Sequence, residues 1–167
     1  MSIPHLVVIA PAFNEADGIA DFIAEIYREV SPRAAVVEIV VIDDASTDDT
    51  AAKVIALGLD GVRVVVQPHN RGHGPAAIAA YREGLARGAD VIVHVDGDGQ
   101  FDGADIARVA LSSKHHEVVH GIRRGRTDPW YRRVLSTGLR LLIWPFARRR
   151  IPDINTPLRA YHPDALR

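Results

Sequence analysis

Two aspartates separated by one glycine, Asp96 and Asp98, are the residues whose types and spacing point most directly to chemistry, and Gln100 follows at the same interval. In an extended segment alternate residues share a side, so the three side chains are expected to converge their oxygens on one point. Three oxygen ligands that leave coordination positions open suit Mg²⁺ or Mn²⁺ bound together with substrate phosphates. The pattern predicts a divalent-metal site at residues 96–100, with two glycines keeping the approach open.

A second acidic pair, Asp43 and Asp44, ends another apolar run. Adjacent carboxylates at the end of a buried strand repel each other and need a donor or a cation, and the hydroxyls and amides of a nucleoside are suitable donors. The hydroxyls of Ser46 and Thr47, followed by further acids, are well explained by the start of a helix. Asp43 and Asp44 are therefore the residues of this segment expected to face a ligand.

Two loops supply further candidate ligand contacts. The loop at residues 11–16 lacks the glycine-rich turn of a dinucleotide-binding domain. Its Phe13 could stack on a base and Glu15 could accept a hydrogen bond from a ribose or base, although a first-turn helix residue explains Glu15 equally well. In a later loop, Gly72 permits close backbone approach and Arg71 supplies a fixed cation, which by itself is a weak signal.

The elements that must position these residues are visible as five short runs rich in Val and Ile, with segments of helical spacing between them. Strands are predicted at residues 6–10, 36–42, 62–66, 91–95 and 117–120. The predicted helix faces are Ile19, Phe22, Ile23, Ile26 and Val30; Ala51, Val54 and Ile55; Ile78, Tyr81 and Leu85; and Ile106, Val109 and Ala110. This alternation predicts an α/β fold, a mostly parallel sheet with helices on both faces, whose ligands bind beyond the carboxyl ends of the strands.

The composition of the 167-residue chain, 47% hydrophobic and 25% charged, is that of a globular protein, and we expect a single domain over residues 1–167. The absence of cysteine excludes thiolate nucleophiles, zinc–cysteine sites and iron–sulfur clusters. No apolar run approaches the roughly 20 residues of a membrane helix, and the N-terminus lacks the pattern of a signal peptide. The expected compartment is therefore the cytoplasm.

The net charge of -1 conceals a strong asymmetry along the chain. Residues 1–60 contain eleven acids and three bases, whereas residues 121–150 contain nine arginines and one acid, Asp128. A concentrated basic segment attracts phosphates, nucleic acid or anionic lipid, although a solvated helix face would also explain it. Residues 121–150 are the part of the chain where we expect an anionic partner to bind.

Seven segments, taken in order, resemble the family 2 glycosyltransferases, which have a GT-A type Rossmann-like fold. They are Pro-Ala-Phe-Asn-Glu at 11–15, Asp-Asp-Ala-Ser-Thr-Asp at 43–48, Asn-Arg-Gly-His-Gly at 70–74, Asp-Gly-Asp-Gly-Gln at 96–100, Gly-Ile-Arg-Arg at 121–124, Arg-Arg-Val-Leu-Ser at 132–136 and Asp-Ile-Asn-Thr-Pro-Leu-Arg-Ala-Tyr at 153–161. Within that family the chain resembles the polyprenyl-phosphate sugar synthases of the dolichyl-phosphate mannose synthase type. Seven motifs in the right order are far more specific than any one of them.

The resemblance implies a donor site for a nucleoside-diphosphate sugar, a metal and an acceptor site. The nucleotide-sugar site would comprise Pro11, Phe13, Glu15, Asp43, Asp44, Arg71, Gly72 and Asp96. Mg²⁺ or Mn²⁺ would be held on the diphosphate by Asp96, Asp98 and Gln100, and the acceptor would be held by Arg123, Arg132, Arg133, Ser136 and Arg159. The implied catalytic residues are Asp98, Arg123, Arg132 and Arg133, which would stabilise charge on the leaving diphosphate.

The chain departs from the family pattern at three places. His73 stands where the family usually has lysine, and the final motif has Asn-Thr-Pro-Leu-Arg where Thr-Ser-Gly-Phe-Arg is commoner. The sequence ends at Arg167, soon after that motif, where relatives often continue. We therefore expect either a short form or a chain truncated at its C-terminus.

The prediction of the acceptor rests on the absence of a residue pair that could supply a general base. Inverting transfer to a hydroxyl needs a general base, which hydroxyl-using relatives often supply from a late Glu-Asp pair, and no such pair occurs here. A polyprenyl phosphate is already an anionic nucleophile and needs only cations to position it, which fits the arginines of residues 121–150. We therefore expect a metal-dependent inverting glycosyltransferase that acts on a polyprenyl phosphate.

Two other functions stay open. One is transfer to a soluble sugar or protein hydroxyl, with Asp153 as the base, and the other is a non-catalytic module that binds nucleotide sugars. The apolar residues of 135–146 and the three arginines after them could lie in a membrane interface or form a helix packed on the sheet. Peripheral membrane contact is therefore one of two open interpretations of this segment, and a nucleic-acid partner is not expected.

Overall fold

A six-stranded sheet forms the centre of the computed structural model, which describes residues 2–121 and 156–167. The strands are β1 (Ile3–Ala12), β2 (Ala34–Asp43), β3 (Val62–Val66), β4 (Val91–His94), β5 (Val118–His120) and β6 (Arg159–Tyr161). The helices are α1 (Ile19–Val30), α2 (Thr50–Ala56), α3 (His73–Ala86) and α4 (Gly103–Ser112). All five predicted strands are confirmed, with a helix in each interval where helical spacing predicts one.

The order of the strands across the sheet is β3-β2-β1-β4-β6-β5. Strand β1 pairs in parallel with β2 and β4, and β2 pairs in parallel with β3. Strand β6 runs antiparallel between β4 and β5. The prediction of a mostly parallel sheet is confirmed, and the carboxyl ends of β1, β2 and β4 come together at one edge of it.

The central strands β1, β2 and β4 are largely apolar, as expected of strands in a sheet that is covered on both faces. On β1, Leu6 and Val8 pack into a cluster with residues of α1, α2 and α4, whereas Val7 and Ile9 pack into a second cluster with residues of α3. The predicted coverage of both faces is therefore confirmed. The side chains alternate between two apolar layers, and this fixes the register in which each strand end presents its polar residues.

Helices α1 and α3 bury different kinds of surface. In α1 all five residues of the predicted apolar face are buried. In α3 the buried residues are Ala76, Ala80 and Gly84, while Ile78, predicted to face the core, is 54% exposed. A Cβ at Gly84 would lie 3.1 Å from Cγ2 of Ile92, so α3 approaches the sheet too closely for larger side chains.

Two more predictions of local structure are corrected. Ile55 of α2, predicted on the apolar face, is 67% exposed, because the seven-residue helix buries only Thr50 and Val54. Strand β6 was not among the predicted strands, and it forms because the backbone of Arg159–Tyr161 pairs on both sides. Among the described residues, no helix has the length and apolar character needed to cross a membrane.

Candidate active site

The loops that follow β1 and β2 are joined by hydrogen bonds into one platform. The backbone amide of Asp44 donates to the Ala12 carbonyl at 2.9 Å, which continues the pairing of the two strands past their ends. Asn14 adopts a positive φ of 55°, and its side-chain oxygen accepts a 2.8 Å hydrogen bond from the Thr47 amide. The Asn14 amide donates in turn to the Ser46 hydroxyl at 2.9 Å. Asparagine tolerates this left-handed conformation, so it both turns the first loop and ties it to the second.

Asp48 also stabilises this platform of two loops through hydrogen bonds. Its carboxylate accepts hydrogen bonds from the amide of Ala16 at 3.1 Å and from the amide and hydroxyl of Thr50. The hydrogen bond from the Thr50 side chain and those from the backbone hold the pKa of Asp48 below its usual value of 3.8. Helix α2 thus begins at Thr50, whose amide is bound by Asp48. The hydroxyls of Ser46 and Thr47 were expected to start this helix, but they form hydrogen bonds with Asn14 that join the two loops.

Replacing Asp48 by asparagine is expected to lower the melting temperature at pH 7. A carboxyl group with a lowered pKa stabilises the fold above its ordinary pKa, and this stabilisation is lost as the pH falls through the lowered value. The difference between the parent and the Asp48→Asn protein should therefore shrink as the pH drops below about 4. Thermal unfolding at several pH values measures it. Asp49→Asn is the matched control, because Asp49 makes no side-chain capping bond to α2, and an equal, pH-dependent loss there would contradict the assignment.

The buried carboxylates Asp43 and Asp44, which are 2% and 3% exposed, take their donors from the chain itself. Asp43 accepts from the amide and hydroxyl of Ser46. Asp44 accepts from the amides of Arg71 at 3.2 Å and Gly72 at 2.8 Å, in the loop before α3. The donors that this pair needs are thus supplied at least in part by the chain itself, through backbone amides and the Ser46 hydroxyl, and the contact of the pair with a nucleoside stays a prediction. Asp44 still borders the cleft described below.

The turn after β4 differs from the extended segment that the alternation predicts. The strand ends at His94, Gly99 has a φ of 70°, and the amide of Gln100 donates to Oδ1 of Asp98 at 3.1 Å. Gly97 does not keep an approach open: a Cβ there would lie 2.9 Å from that of Ala12 and 3.0 Å from the Pro11 carbonyl. The turn instead packs tightly against the end of β1, which also receives the Gly97 amide at the Pro11 oxygen at 2.9 Å.

These loops surround a cleft of about 250 Å³ at the carboxyl ends of β1, β2 and β4. It is lined by Pro11, Ala12, Phe13, Glu15, Asp44, Asn70, Gly72, His73, Ala76, Asp96, Gly97 and Asp98. Seven residues predicted for the nucleotide-sugar or metal site are thus brought together: Pro11, Phe13, Glu15, Asp44, Gly72, Asp96 and Asp98. The first four of them come from the end of β1 and the loops after β1 and β2. Asp43, Gln100 and Arg71 do not line this cleft, and Arg71 contributes its backbone amide to Asp44.

Four acidic side chains line the cleft: Glu15, Asp44, Asp96 and Asp98. Burial raises the pKa of Glu15 above its usual value, and the charges of Asp98 and Asp48 raise it further. Such a set of oxygens has the chemistry of a site for a hard divalent cation. Among the described residues, however, no group of three or more His, Asp or Glu side chains is arranged to hold a metal by itself.

Two histidines lie on either side of Asp96. Nε2 of His73, the first residue of α3, is 3.9 Å from Oδ1 of Asp96, and Nε2 of His94 is 4.0 Å from the same oxygen. His94 is buried against the Tyr81 ring, with centroids 5.1 Å apart. Burial lowers the pKa of His94 to about 4, and the neighbouring charges of His73 and Arg159 contribute, so the ring is neutral at physiological pH.

Five residues that line the cleft were not among the predicted site residues. Ala12 and Gly97 lie next to predicted ones, whereas Asn70, His73 and Ala76 come from the start of α3 and the loop before it. His73 was visible in the sequence only as a departure from the family lysine. Arg159, predicted beside the acceptor, lies in β6 opposite His94, where its Nε donates to the Thr156 carbonyl at 2.8 Å. The other predicted acceptor residues, Arg123, Arg132, Arg133 and Ser136, and the alternative base Asp153, lie outside the described residues.

Solved structures with the same arrangement of strands are GT-A glycosyltransferases, and this defines the class of the fold. Glucosyl-3-phosphoglycerate synthase from Mycobacterium tuberculosis, solved with Mn²⁺, UDP and phosphoglyceric acid, matches with a TM-score of 0.68 and 26% identity over 98% of this chain and 57% of that one. A mannosyltransferase from Pyrobaculum calidifontis, solved with GDP-Man and Mn²⁺, matches with a TM-score of 0.67 and 22% identity over 99% of this chain and 46% of that one. The predicted GT-A fold is confirmed.

The family itself follows from the sequence match: residues 7–167 fit the model of Glycosyl transferase family 2, and the chain belongs to that family. An undecaprenyl-phosphate mannosyltransferase from Micrococcus luteus is 30% identical over 98% of this chain and 68% of its own length. An undecaprenyl-phosphate 4-deoxy-4-formamido-L-arabinose transferase from Sodalis glossinidius is 29% identical over 96% of this chain and 50% of its own length. The chain therefore spans 50% of the length of one of these relatives and 68% of the other.

Proposed function

We propose that this chain is a metal-dependent inverting glycosyltransferase that moves a sugar from a nucleoside-diphosphate sugar to a polyprenyl phosphate. The observation that carries the proposal is the cleft, which brings Phe13, Glu15, Asp44, Asp96 and Asp98 to one edge of the sheet. An aromatic ring, acidic acceptors and a pair of metal-binding carboxylates are the groups that a nucleotide sugar requires. Membership of the family supports the same reading.

The nucleoside would lie on the platform formed by the first two loops. Phe13 borders the cleft and is 42% exposed, so its ring offers a stacking surface to a base. Glu15 and Asp44 offer carboxylate oxygens to hydroxyl or amide donors of the nucleoside. Because backbone bonds hold both of these residues in place, the site is formed before the ligand arrives and little ordering is needed on binding.

Asp96 and Asp98 would hold Mg²⁺ or Mn²⁺ on the diphosphate, and the crowding of carboxylates around Glu15 fits such an ion. When bound, the ion supplies Lewis-acid stabilisation of the charge that develops on the leaving diphosphate. The relative from M. tuberculosis was solved with Mn²⁺ and UDP, which supports a divalent metal and a nucleoside diphosphate as partners here. Asp98 is the residue to which we assign the largest catalytic effect.

The transfer we propose needs no general base. A phosphate oxygen of the acceptor attacks the anomeric carbon and forms the new C–O bond, while the bond from that carbon to the diphosphate oxygen breaks. The nucleoside diphosphate leaves with the electron pair, and the configuration at the anomeric carbon inverts. Arg123, Arg132, Arg133, Ser136 and Arg159 would hold the acceptor phosphate, which is the role suited to fixed cations and a hydroxyl.

The names of two relatives support a lipid acceptor, since both are undecaprenyl-phosphate sugar transferases. We propose that the protein works at the cytoplasmic face of a membrane and contacts it peripherally through residues 135–150. A second candidate is transfer to the hydroxyl of a small phosphorylated acid, favoured by the relative solved with phosphoglyceric acid. In that reaction Asp153 would serve as the base.

An assay of sugar transfer tests the proposal directly. Thermal shift with UDP or GDP, with and without Mn²⁺, first identifies the nucleotide, since a ligand that binds the native state raises the melting temperature. The matching labelled nucleotide sugars are then offered with a short-chain polyprenyl phosphate or with 3-phosphoglycerate. Metal-dependent label in the lipid extract supports the proposal. Label in phosphoglycerate alone, or nucleotide binding without any transfer, would overturn it in favour of the second candidate or of a non-catalytic module.

Replacing Arg132 and Arg133 together by alanine is expected to raise the KM for the polyprenyl phosphate by roughly 10- to 100-fold, the effect of losing a charge-assisted hydrogen bond. Donor affinity, measured by thermal shift or calorimetry, should change by less than about twofold, because the donor contacts lie in the cleft described above. Arg63→Ala is the matched control, since this exposed arginine of β3 donates only to its neighbour's carbonyl. An equal loss of donor affinity in the double variant would contradict the acceptor assignment.

A further inference from the structure

Three rings join helix α3 to the neighbouring strands β4 and β6. The centroid of the Tyr81 ring on α3 lies 5.1 Å from that of His94 on β4 and 5.6 Å from that of Tyr161 on β6. The two tyrosine rings meet edge to face, with an angle of 87° between their planes, which is a favourable arrangement for aromatic pairs. Through this one side chain, helix α3 contacts both strands.

The hydroxyl of Tyr81 adds a polar contact to this packing. Burial raises the pKa of Tyr81 above its usual value of 10, and a hydrogen bond with the Tyr161 side chain raises it further. The positive charge of Arg159 partly offsets this shift, so the guanidinium lies close enough to act on the hydroxyl. The two tyrosines are therefore both packed and hydrogen-bonded, in the neighbourhood of Arg159.

Strand β6 depends on side-chain contacts because it is only three residues long. Its pairing with β4 places Arg159 opposite His94, and residues that are opposite each other, or two apart on one strand, share a face of the sheet. Arg159 and Tyr161 therefore lie on the face that α3 covers, whereas Ala160 is buried in the apolar cluster of the other face. Tyr81 thus holds β6 from the α3 side, two positions along the strand from Arg159.

We propose that Tyr81 is a positioning residue of the acceptor site, which fixes β6 through Tyr161 and thereby places Arg159 for the acceptor phosphate. The inference rests on the proposed function, because that function assigns Arg159 to the acceptor. Helix α3 also lines the donor cleft with His73 and Ala76, so Tyr81 helps to set the distance between the donor and acceptor contacts. A reaction between two bound substrates requires this distance to be held closely.

A purely structural role in the core would have different consequences. Tyr81 packs against the apolar cluster beneath α3, so loss of its ring would disturb the fold as a whole. Removal of the hydroxyl alone keeps the ring contacts with His94 and Tyr161 and breaks only the polar contact. Tyr81→Phe is therefore the variant that separates positioning from packing.

The test is a double-mutant cycle on the full chain with Tyr81→Phe, Arg159→Gln and the variant that carries both substitutions. Arg159→Gln removes the charge and retains a side-chain donor for the Thr156 carbonyl. The KM for a short-chain polyprenyl phosphate is measured in the transfer assay, and donor affinity is measured by calorimetry with the nucleoside diphosphate and Mn²⁺. Tyr27→Phe is the matched control, since Tyr27 is a helical tyrosine that packs on the opposite face of the sheet.

Tyr81→Phe is expected to raise the KM for the polyprenyl phosphate by about 3- to 10-fold, the effect of losing one hydrogen bond, and to change donor affinity by less than about twofold. Tyr161→Phe, which removes the other hydroxyl, should reproduce this result, and Tyr27→Phe should match the parent. In the Arg159→Gln background, Tyr81→Phe should change the KM by less than about twofold, because the side chain that it positions is gone.

An unchanged KM in Tyr81→Phe, or an equal rise in the presence and absence of Arg159, would overturn the inference and leave the proposed function intact. The second of these results would assign Tyr81 a structural role, since a general disturbance of the fold acts whether or not Arg159 is present. A parent protein that binds the nucleotide but transfers no sugar to the polyprenyl phosphate refutes the proposed function, and the inference falls with it.

Discussion

Replacing Asp98 by asparagine is expected to abolish metal-dependent binding of the nucleoside diphosphate and to lower kcat/KM for sugar transfer by about 10²- to 10³-fold. The substitution removes the negative charge that would hold the ion. It retains a side-chain oxygen that can accept the hydrogen bond from the Gln100 amide, so the turn after β4 keeps its shape. Calorimetry with UDP or GDP, with and without Mn²⁺, measures the binding.

Asp98→Ala separates the two roles of this side chain. The alanine variant loses both the charge and the acceptor for the Gln100 amide, so its activity should be as low as that of the asparagine variant and its stability lower. Asp102→Asn, which changes the next acid along the chain without touching the cleft, is the control. Full metal-dependent binding by Asp98→Asn would show that Asp98 shapes the turn and would refute its assignment to the metal.

The second large effect is expected at Gly97, where replacement by alanine should destabilise the fold by about 1–3 kcal/mol. The added methyl would lie 2.9 Å from the Cβ of Ala12, 3.0 Å from the Pro11 carbonyl and 3.2 Å from Cδ1 of Ile19. Two of these atoms belong to the end of β1 and cannot move without disturbing the strand. Because Gly97 lies between Asp96 and Asp98, the same displacement should weaken nucleotide binding.

Urea unfolding measures this loss, and Gly74→Ala provides the comparison. Gly74 lies in α3, has no atom within 4 Å of an added Cβ, and should tolerate alanine or gain up to about 1 kcal/mol. Equal stability of the two variants would contradict the close packing of the turn against β1. In Gly97→Ala the loss of stability and the loss of nucleotide binding are expected together, because the same close contact with β1 governs both properties.

The sheet could be predicted from the sequence because both of its faces are buried. Val and Ile recur in short runs, and each run became a strand; in β1, β2 and β4 alternate residues enter opposite apolar clusters. The face of α3 could not be predicted in this way, since periodicity reveals which side of a helix is apolar but not how closely the helix approaches its neighbour. The buried residues of α3 are Ala76, Ala80 and Gly84, and a Cβ at Gly84 would already lie 3.1 Å from Cγ2 of Ile92, so a larger side chain has no room there.

The residues of the candidate site were predicted better than their geometry. Asp44, Asp96 and Asp98 border one cleft, as their positions after parallel strands indicate. Their partners depend on distant segments: Asp44 is held by the amides of residues 71 and 72, and spacing along the chain does not reveal such contacts. Likewise, the alternation of Asp96, Asp98 and Gln100 fails because a turn follows β4, in which Gly99 has a φ of 70° and the Gln100 amide donates to Asp98.

The antiparallel position of β6 has a consequence for the order in which the molecule can assemble. Strand β5 has β6 as its only neighbour in the described sheet, and β6 begins at Arg159, 41 positions after β5 begins at Val118.

During synthesis, β5 therefore leaves the ribosome well before the strand that must hold it in the sheet. Strands β1 to β4 need no such late partner, because they pair with one another and carry three of the four helices between them. The residues that line the cleft all lie between positions 11 and 98, so the cleft can consequently form before the rest of the chain folds. Because β6 is the last strand of the described sheet to be synthesised and must enter between β4 and β5, its docking is expected to be the last step in forming that sheet.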